Sequence, residues 1–401
     1  MTLNASGPIS LAGSTTGQSI ALELGLSATG TISLNQANVR TLAGVASGAI
    51  TMPTNFWGKS NSVPTIIMSM QTTPFVGAWQ YSSSTGWGTR FANPAVLPGG
   101  SVLGEITTNT GNTAYAMGQN TTPFINAWTY SSTAGFGTKY ANPGTLLGSG
   151  QGGPQFAPDN AALIFATAFP LTFIFAYRWT NASGFGTLYS NVATAPIGNS
   201  YSVDINDAGN RVAVGFITGS DIPLNVYPFS SSTGWGSKFA GPGIYPSNST
   251  AFRNVKFNAA STVLAGVISI DSYLWFFRWS TSGFGTRYAF PGTLPTGNPQ
   301  CLAWHPNQTI VAIAGNNAPF QNIYAWTDAS GFGTRYADPS SALLSYANSV
   351  TFSVDGNSIV FAQNNTNSFQ ALYGWSGGYG TKRANPASLP QGIPNQIITT
   401  A

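Results

Sequence analysis

Charge is what this chain lacks most. Only 6% of its 401 residues are Asp, Glu, Lys or Arg, against about 25% in an ordinary soluble domain. The net charge of +4 is spread too thinly to argue for a nucleic-acid partner. Gly, Ser, Thr and Asn stand on the surface in its place, a composition typical of proteins that work outside cells. A single cysteine, Cys301, excludes an intramolecular disulfide framework. A single histidine, His305, together with that one cysteine, leaves no cluster with metal-ligand spacing, so neither metal nor cofactor is expected. No apolar run approaches the roughly 18 residues of a membrane-spanning helix, and no basic and apolar leader opens the chain. These absences predict synthesis in a reducing cytoplasm without membrane insertion.

What is present is repetition. The stretch STGWGTRFANP returns as AGFGTKYANP, SGFGTLYSNV, TGWGSKFAGP, SGFGTRYAFP, SGFGTRYADP and GGYGTKRANP. The first glycines are Gly86, Gly135, Gly184, Gly234, Gly283, Gly331 and Gly378, about fifty residues apart, the length of a propeller blade of four short strands. Within one unit the chain reads NVKFNAAS, TVLAGVISI, SYLWFFRWS and then the motif, four β-rich runs parted by turn residues. The third run carries two aromatic residues at i and i+2 in all seven units, from Trp79/Tyr81 to Tyr373/Trp375. Such residues share one face of a strand, so each blade offers a two-ring wedge for packing between blades; exposed rings on which sugars stack are the other reading. The two glycines of the motif suit a tight hairpin between third and fourth strands. A phosphate loop is a weaker reading, because no helix and no GK[ST] pair follow.

The first unit lacks a first strand. IPNQIITTA, Ile393 to Ala401, aligns with the first strand of other units and is expected to complete blade one, leaving no sheet edge at the join. This architecture, over residues 61–401, resembles WD-repeat propellers with one blade shared between the two ends, although the WD dipeptide is missing. The fold class expected is therefore all-β: a seven-bladed β-propeller over 61–401 with a small N-terminal domain at 1–60.

Residues 1–60 lack the motif. NQANVRTLAG reads as a helix with Asn35 as N-cap and Gly44 beyond the last turn. Large apolar residues are few, chiefly Phe56 and Trp57, so this segment is expected to gain its order from a partner rather than from a core of its own. GPISLAGSTTGQSIALELG, ISLNQANVRTLAGV and SGAITMPTNFWGKS, spread over residues 7–60, resemble the N-terminal module of structural proteins of tailed bacteriophages. That resemblance implies a virion component, tail-associated, present in several copies, docked through residues 1–60 on other virion proteins and exposed on the particle after assembly in the host cytoplasm.

Candidate chemistry is sparse. The ten acids include Asp159, Asp204, Asp207 and Asp355, read as belonging to the turns between first and second strands. There they act as turn formers, with a paired-carboxylate glycosidase as the minor reading. The sialidase-type Asp box is absent. His305 sits in one of these turns and reads as structural, since no nucleophile or second base accompanies it. A basic residue follows the second glycine in six units: Arg90, Lys139, Lys238, Arg287, Arg335 and Lys382. One reading is protection of an exposed strand edge; the other is a docking ring for an acidic virion partner or an anionic glycan. The expectation is thus a non-enzymatic virion structural protein without catalytic residues. Its propeller would serve docking or host-surface contact. The alternatives are a glycan- or receptor-binding module on a tail or head fibre, and then a glycan-cleaving enzyme.

Overall fold

The computed structural model describes residues 3–24, 26–29, 31–45, 47–56, 63–102, 104–146, 148, 152–168, 173–217, 223–244, 251–269, 273–365 and 369–400. The chain divides into two compact units, Met1–Val63 and Pro64–Ala401.

Pro64–Ala401 forms seven four-stranded antiparallel sheets, the blades of a propeller. Blade 5 shows the pattern: an inner strand Phe252–Phe257, a second strand Val263–Ile268, a third Leu274–Ser280 and an outer strand Gly283–Arg287. The second strand is buried on both faces, which is why VLAGVI is continuously apolar rather than alternating. In blade 1 the inner strand is Pro394–Thr400, paired antiparallel with Thr65–Met70 through Ile66↔Thr399 and Met68↔Ile397. Thr65 and Thr400 hydroxyls meet at 2.6 Å, and the Gln71 N–H donates to Ile393 at 3.0 Å. The seam between the two ends of the propeller is thereby hydrogen-bonded like any other strand pair.

The aromatic pairs lie between blades. Trp79 and Tyr81 of blade 1 pack with Val360, Ala362 and Leu372 of blade 7. The first ring of a pair also uses its polar end: Tyr177, Tyr227, Tyr324 and Tyr373 donate to carbonyls of Thr145, Thr194, Thr293 and Ser341, at 2.6–2.8 Å. Those carbonyls lie in the crossover from the preceding blade, so one side chain fills the core and fixes the connection.

The repeated motif turns out to be a joint. In six of the seven units its first glycine has positive φ, for example 79° at Gly184 and 89° at Gly234, the exception being Gly378. It is also a socket: a Cβ on Gly184 would lie 2.7 Å from the ring of Tyr140, and one on Gly331 would lie 2.8 Å from Tyr288. Tyr140 and Tyr288 belong to the motif of the preceding blade, and Phe91, Tyr189 and Phe239 meet Gly135, Gly234 and Gly283 in the same way, so at five junctions a ring rests on the next blade's first glycine. Gly86 meets the Arg383 side chain instead, and Gly378 has nothing within 4 Å among the described residues. The Tyr140 hydroxyl continues across the joint to the Asn181 carbonyl at 2.7 Å, and Tyr288 reaches Asp328 at 2.8 Å. The second glycine faces the residue between the two aromatics: a Cβ on Gly137 would meet Thr129 at 2.3 Å.

The unit Met1–Val63 contains two short helices, Ile20–Glu23 and Ala37–Ala43, and a 3-10 turn, Thr54–Phe56. Gly44 ends the second helix with φ 72°, while its N-cap is Gln36 rather than Asn35, with no side-chain cap bond. Leu3, Ile9, Ile20, Val39, Leu42, Ala43 and Phe56 bury one another in a core of their own. The few large apolar residues of the segment gave no expectation of such a core. The scattered aliphatic residues converge because short turns fold them onto Phe56. Trp57 lies outside the described residues.

Candidate functional site

The seven inner strands line the central channel. Alternate residues face it, while the residues between them, such as Val203, Val255, Leu302 and Val350, are buried. Unlike the outer strands, the inner strands differ from blade to blade. At equivalent positions stand Glu105, Ser202, Asn254, Cys301, Ser349 and Gln396, and two residues further on Thr107, Asp204, Lys256, Ala303, Thr351 and Ile398. Together with Gln155 most of these enclose a polar well of about 360 Å³, within the range of small-ligand sites.

Three charges meet at its edge: Glu105 and Lys256 line the well, and Asp204 contacts Lys256 from outside that lining. Lys256 Nζ lies 3.2 Å from Asp204 Oδ1 and 3.4 Å from Glu105 Oε1. Glu105 Oε1 also accepts from Asn254 Nδ2 at 2.5 Å and from Ser202 Oγ at 3.0 Å, and Oε2 accepts from Gln155 Nε2 at 3.1 Å. Asp204 Oδ2 accepts the Phe257 N–H at 2.7 Å. The cluster thus ties blades 2, 3, 4 and 5 together across the axis. Side-chain exposure is 7% for Glu105 and 13% for Asp204 but 24% for Lys256, so the ammonium is the most accessible of the three.

Two carboxylates share one ammonium, which leaves one negative charge too many for a buried site. Asp204 absorbs the excess. Burial pushes its carboxyl up to about 6, outweighing the attraction of Lys256 and the Phe257 hydrogen bond. For Lys256, burial alone would lower the pKa, but Glu105 and Asp204 more than offset it and hold the ammonium charged, above its ordinary range. The arrangement supplies a carboxylate able to exchange a proton near neutrality, beside a fixed positive charge that lines a well of amides and hydroxyls. Among the described residues no three His, Cys, Asp or Glu side chains come together as metal ligands.

The sequence-derived candidates lie elsewhere, with one exception. Asp159, Asp207 and Asp355 are in turns, as read, but Asp204 is inside the inner strand Ser200–Ile205. The turn begins only after Asn206, whose side chain accepts the N–H groups of Asn210 and Arg211. His305 closes the matching turn of blade 6: Nδ1 accepts the Asn307 N–H at 3.1 Å, and Nε2 donates to the Gly356 carbonyl of blade 7 at 3.0 Å.

The six basic residues occupy the outer region of their blades and do not converge. Arg90 covers Trp79 and donates to Asn93 at 2.6 Å, and Lys139 donates to Asn142 at 2.5 Å. Arg287 stacks on Trp275 and Phe290, Arg335 pairs with Asp338 at 2.7 Å, Lys382 lies over Tyr373, and Lys238 is exposed. Glu105 and Lys256 were missed by sequence reasoning. A signal existed: Asp204 and Lys256 occupy the same position of consecutive repeats, in a chain where charge is rare.

No protein-family model matches the chain, and no curated protein resembles it in sequence. Solved structures do resemble it in fold. The periplasmic gluconolactonase of Pseudomonas aeruginosa is similar over 84% of this chain and 99% of its own, with TM-score 0.62 and 11% identity. A Bacteroides fragilis protein named as a candidate 6-phosphogluconolactonase is similar over 85% and 99%, with TM-score 0.61 and 8% identity. A Bacteroides uniformis protein of the same designation is similar over 85% and 100%, with TM-score 0.59 and 8% identity. Likeness at this identity establishes the seven-bladed fold. It also corrects two expectations. These neighbours are named as lactonases, not as virion structural proteins, and nothing in the comparisons ties the chain to a phage particle. The exclusion of an enzyme had rested on a scarcity of acids and bases, which overlooked the convergence of Glu105, Asp204 and Lys256.

Proposed function

We propose that the well hydrolyses a small cyclic ester of a polyhydroxy acid, a sugar lactone. The observation that carries this reading is the Asp204 carboxyl, pushed up to about 6 and 13% exposed, 3.2 Å from the Nζ of Lys256, which itself lines a polar cavity of about 360 Å³. A general base works best with a pKa near the operating pH, and a fixed cation in a poorly solvated site stabilises a developing oxyanion. Asp204 takes a proton from water as the water oxygen bonds to the ester carbonyl carbon. The carbonyl π pair moves onto oxygen beside Lys256. On collapse the bond to the ring oxygen breaks, and that oxygen receives the proton back from Asp204. Glu105 keeps Lys256 charged and, with Asn254, Ser202 and Gln155, keeps the floor of the well rigid. The names of the fold neighbours support the same substrate class.

The test is acid release from glucono-δ-lactone and related lactones in a pH-stat, corrected for spontaneous opening. The expected result is turnover that rises with pH through about 6 and falls at least about 100-fold in Asp204→Asn, with the far-ultraviolet circular dichroism unchanged. Absence of turnover above the blank for the folded protein, or full activity in Asp204→Asn, overturns the reading.

A further inference from the structure

Five inner strands share an irregularity that the four-strand pattern does not require. Their pairing with the second strand slips by one residue near its start: between Ser200 and Ser202, Phe252 and Asn254, Pro299 and Cys301, Ala347 and Ser349, and opposite Ser69/Met70 in blade 1. The extra residues are Tyr201, Arg253, Gln300, Asn348 and Asn395. All five are polar, and all five line one cavity of about 560 Å³ at the end of the channel where the inner strands begin. A β-bulge re-aims a side chain that regular pleating would direct elsewhere. Five bulges serving one cavity mark it as a built mouth rather than a by-product of closure. Gln396 lines both this mouth and the well, so the two adjoin.

The chemistry of the mouth is specific. Arg253 is the one charged residue in its lining. Its guanidinium lies over the Tyr201 ring at 5.7 Å and has neither a carboxylate nor a hydrogen-bond acceptor among the described residues. Gln396 commits its oxygen to Ser349 at 3.0 Å, and its NH₂ has no acceptor among the described residues. Asn348 donates to the Pro394 carbonyl at 2.8 Å, which leaves its oxygen to accept. The mouth therefore offers one planar cation, a neighbouring N–H donor and an amide acceptor suited to hydroxyl groups.

We propose that this mouth binds the carboxylate of a small polyhydroxy acid, with Arg253 on the carboxylate and the amides on its hydroxyls. One cation matches one negative charge; a phosphate monoester, carrying nearly two, calls for more positive charge than the mouth supplies. Placing that carboxylate on the substrate of the well rests on the lactone reading. Binding at the mouth does not, and it is measured without turnover.

Isothermal titration with D-glucuronate, D-glucose and D-glucose 6-phosphate tests it. Glucuronate is expected to bind at least about tenfold tighter than glucose. Arg253→Gln is expected to abolish that preference without moving the melting temperature, because Arg253 is exposed. Tyr201→Leu is expected to reduce the preference, since the ring that orients the guanidinium is lost. Equal binding of glucuronate and glucose, a preference that survives Arg253→Gln, or tighter binding of glucose 6-phosphate each overturns the proposal. Loss of lactone turnover with glucuronate binding intact separates failure of the hydrolytic reading from failure of this one.

Discussion

The outer strands of the seven blades nearly repeat one another, whereas the inner strands vary along the channel. GFGTR recurs unchanged in blades 5 and 6, where the facing inner positions are Asn254 and Lys256 in one and Cys301 and Ala303 in the other. The repeated residues make the joints between blades, a contact that recurs at five of the seven junctions. The residues that do not repeat make the well and its mouth, which the ring needs only once. In a repeat protein of this kind, sameness marks structure and departure from sameness marks the place where chemistry is available.

That contrast can be broken at its strongest point by Lys256→Met. The substitution leaves Glu105 and Asp204 facing each other without their shared cation, and loss of one partner of a buried pair costs about 3 kcal/mol or more. The expected loss of melting temperature is larger at pH 8 than at pH 5. Carboxylates held together in the native state bind protons more readily than in the unfolded chain, so stability falls as pH rises. Equal destabilisation at both pH values would mean that the carboxylates do not interact.

A joint gives the next largest effect. Gly184→Val forces a β-branched residue to φ near 79° and drives its Cβ against the Tyr140 ring, a strain of about 3 kcal/mol. The same substitution at Gly144, with nothing within 4 Å and φ outside the left-handed region, is expected to change denaturant stability by less than about 0.5 kcal/mol. Similar losses at the two sites would remove the joint from the account.

The smallest effect belongs to the rim. Arg90→Gln removes the cation over Trp79 and the bond to Asn93, worth about 0.5 kcal/mol at a half-exposed site. A loss of several kcal/mol there would move structural weight from the glycine sockets to the basic residues.

The fold was legible because its signals recur: the glycine pairs, the i and i+2 aromatics, and a first unit short of one strand. The joint itself was not. Tyr140 and Gly184 belong to different repeats, and nothing within one repeat says that a ring in it covers a glycine in the next. The site was less legible still. Glu105, Asp204 and Lys256 appear once each, and Asp204 was read as a turn former because it stands two residues before a turn whose capping residue is Asn206. The bulges at Tyr201 and Arg253 leave no mark in hydrophobic periodicity, since both neighbours of each bulged residue are buried. In the N-terminal unit the core around Phe56 escaped notice because its members are dispersed over more than fifty positions.

The ring-on-glycine joint has a consequence for how such a chain can change. From Phe91/Gly135 to Tyr288/Gly331, ring and socket lie on opposite sides of a repeat boundary, so a fifty-residue segment taken between those joints carries half of the joint before it and half of the joint after it. A duplicated segment would bring a socket for the ring upstream and a ring for the socket downstream; an excised one would leave its neighbours already matched. Gain or loss of a blade among those joined by ring and glycine, blades 1 to 6, is therefore silent at the joints. The blade number is enforced where the strand Pro394–Thr400 has to arrive beside Thr65–Met70, and that seam counts the repeats for the whole ring.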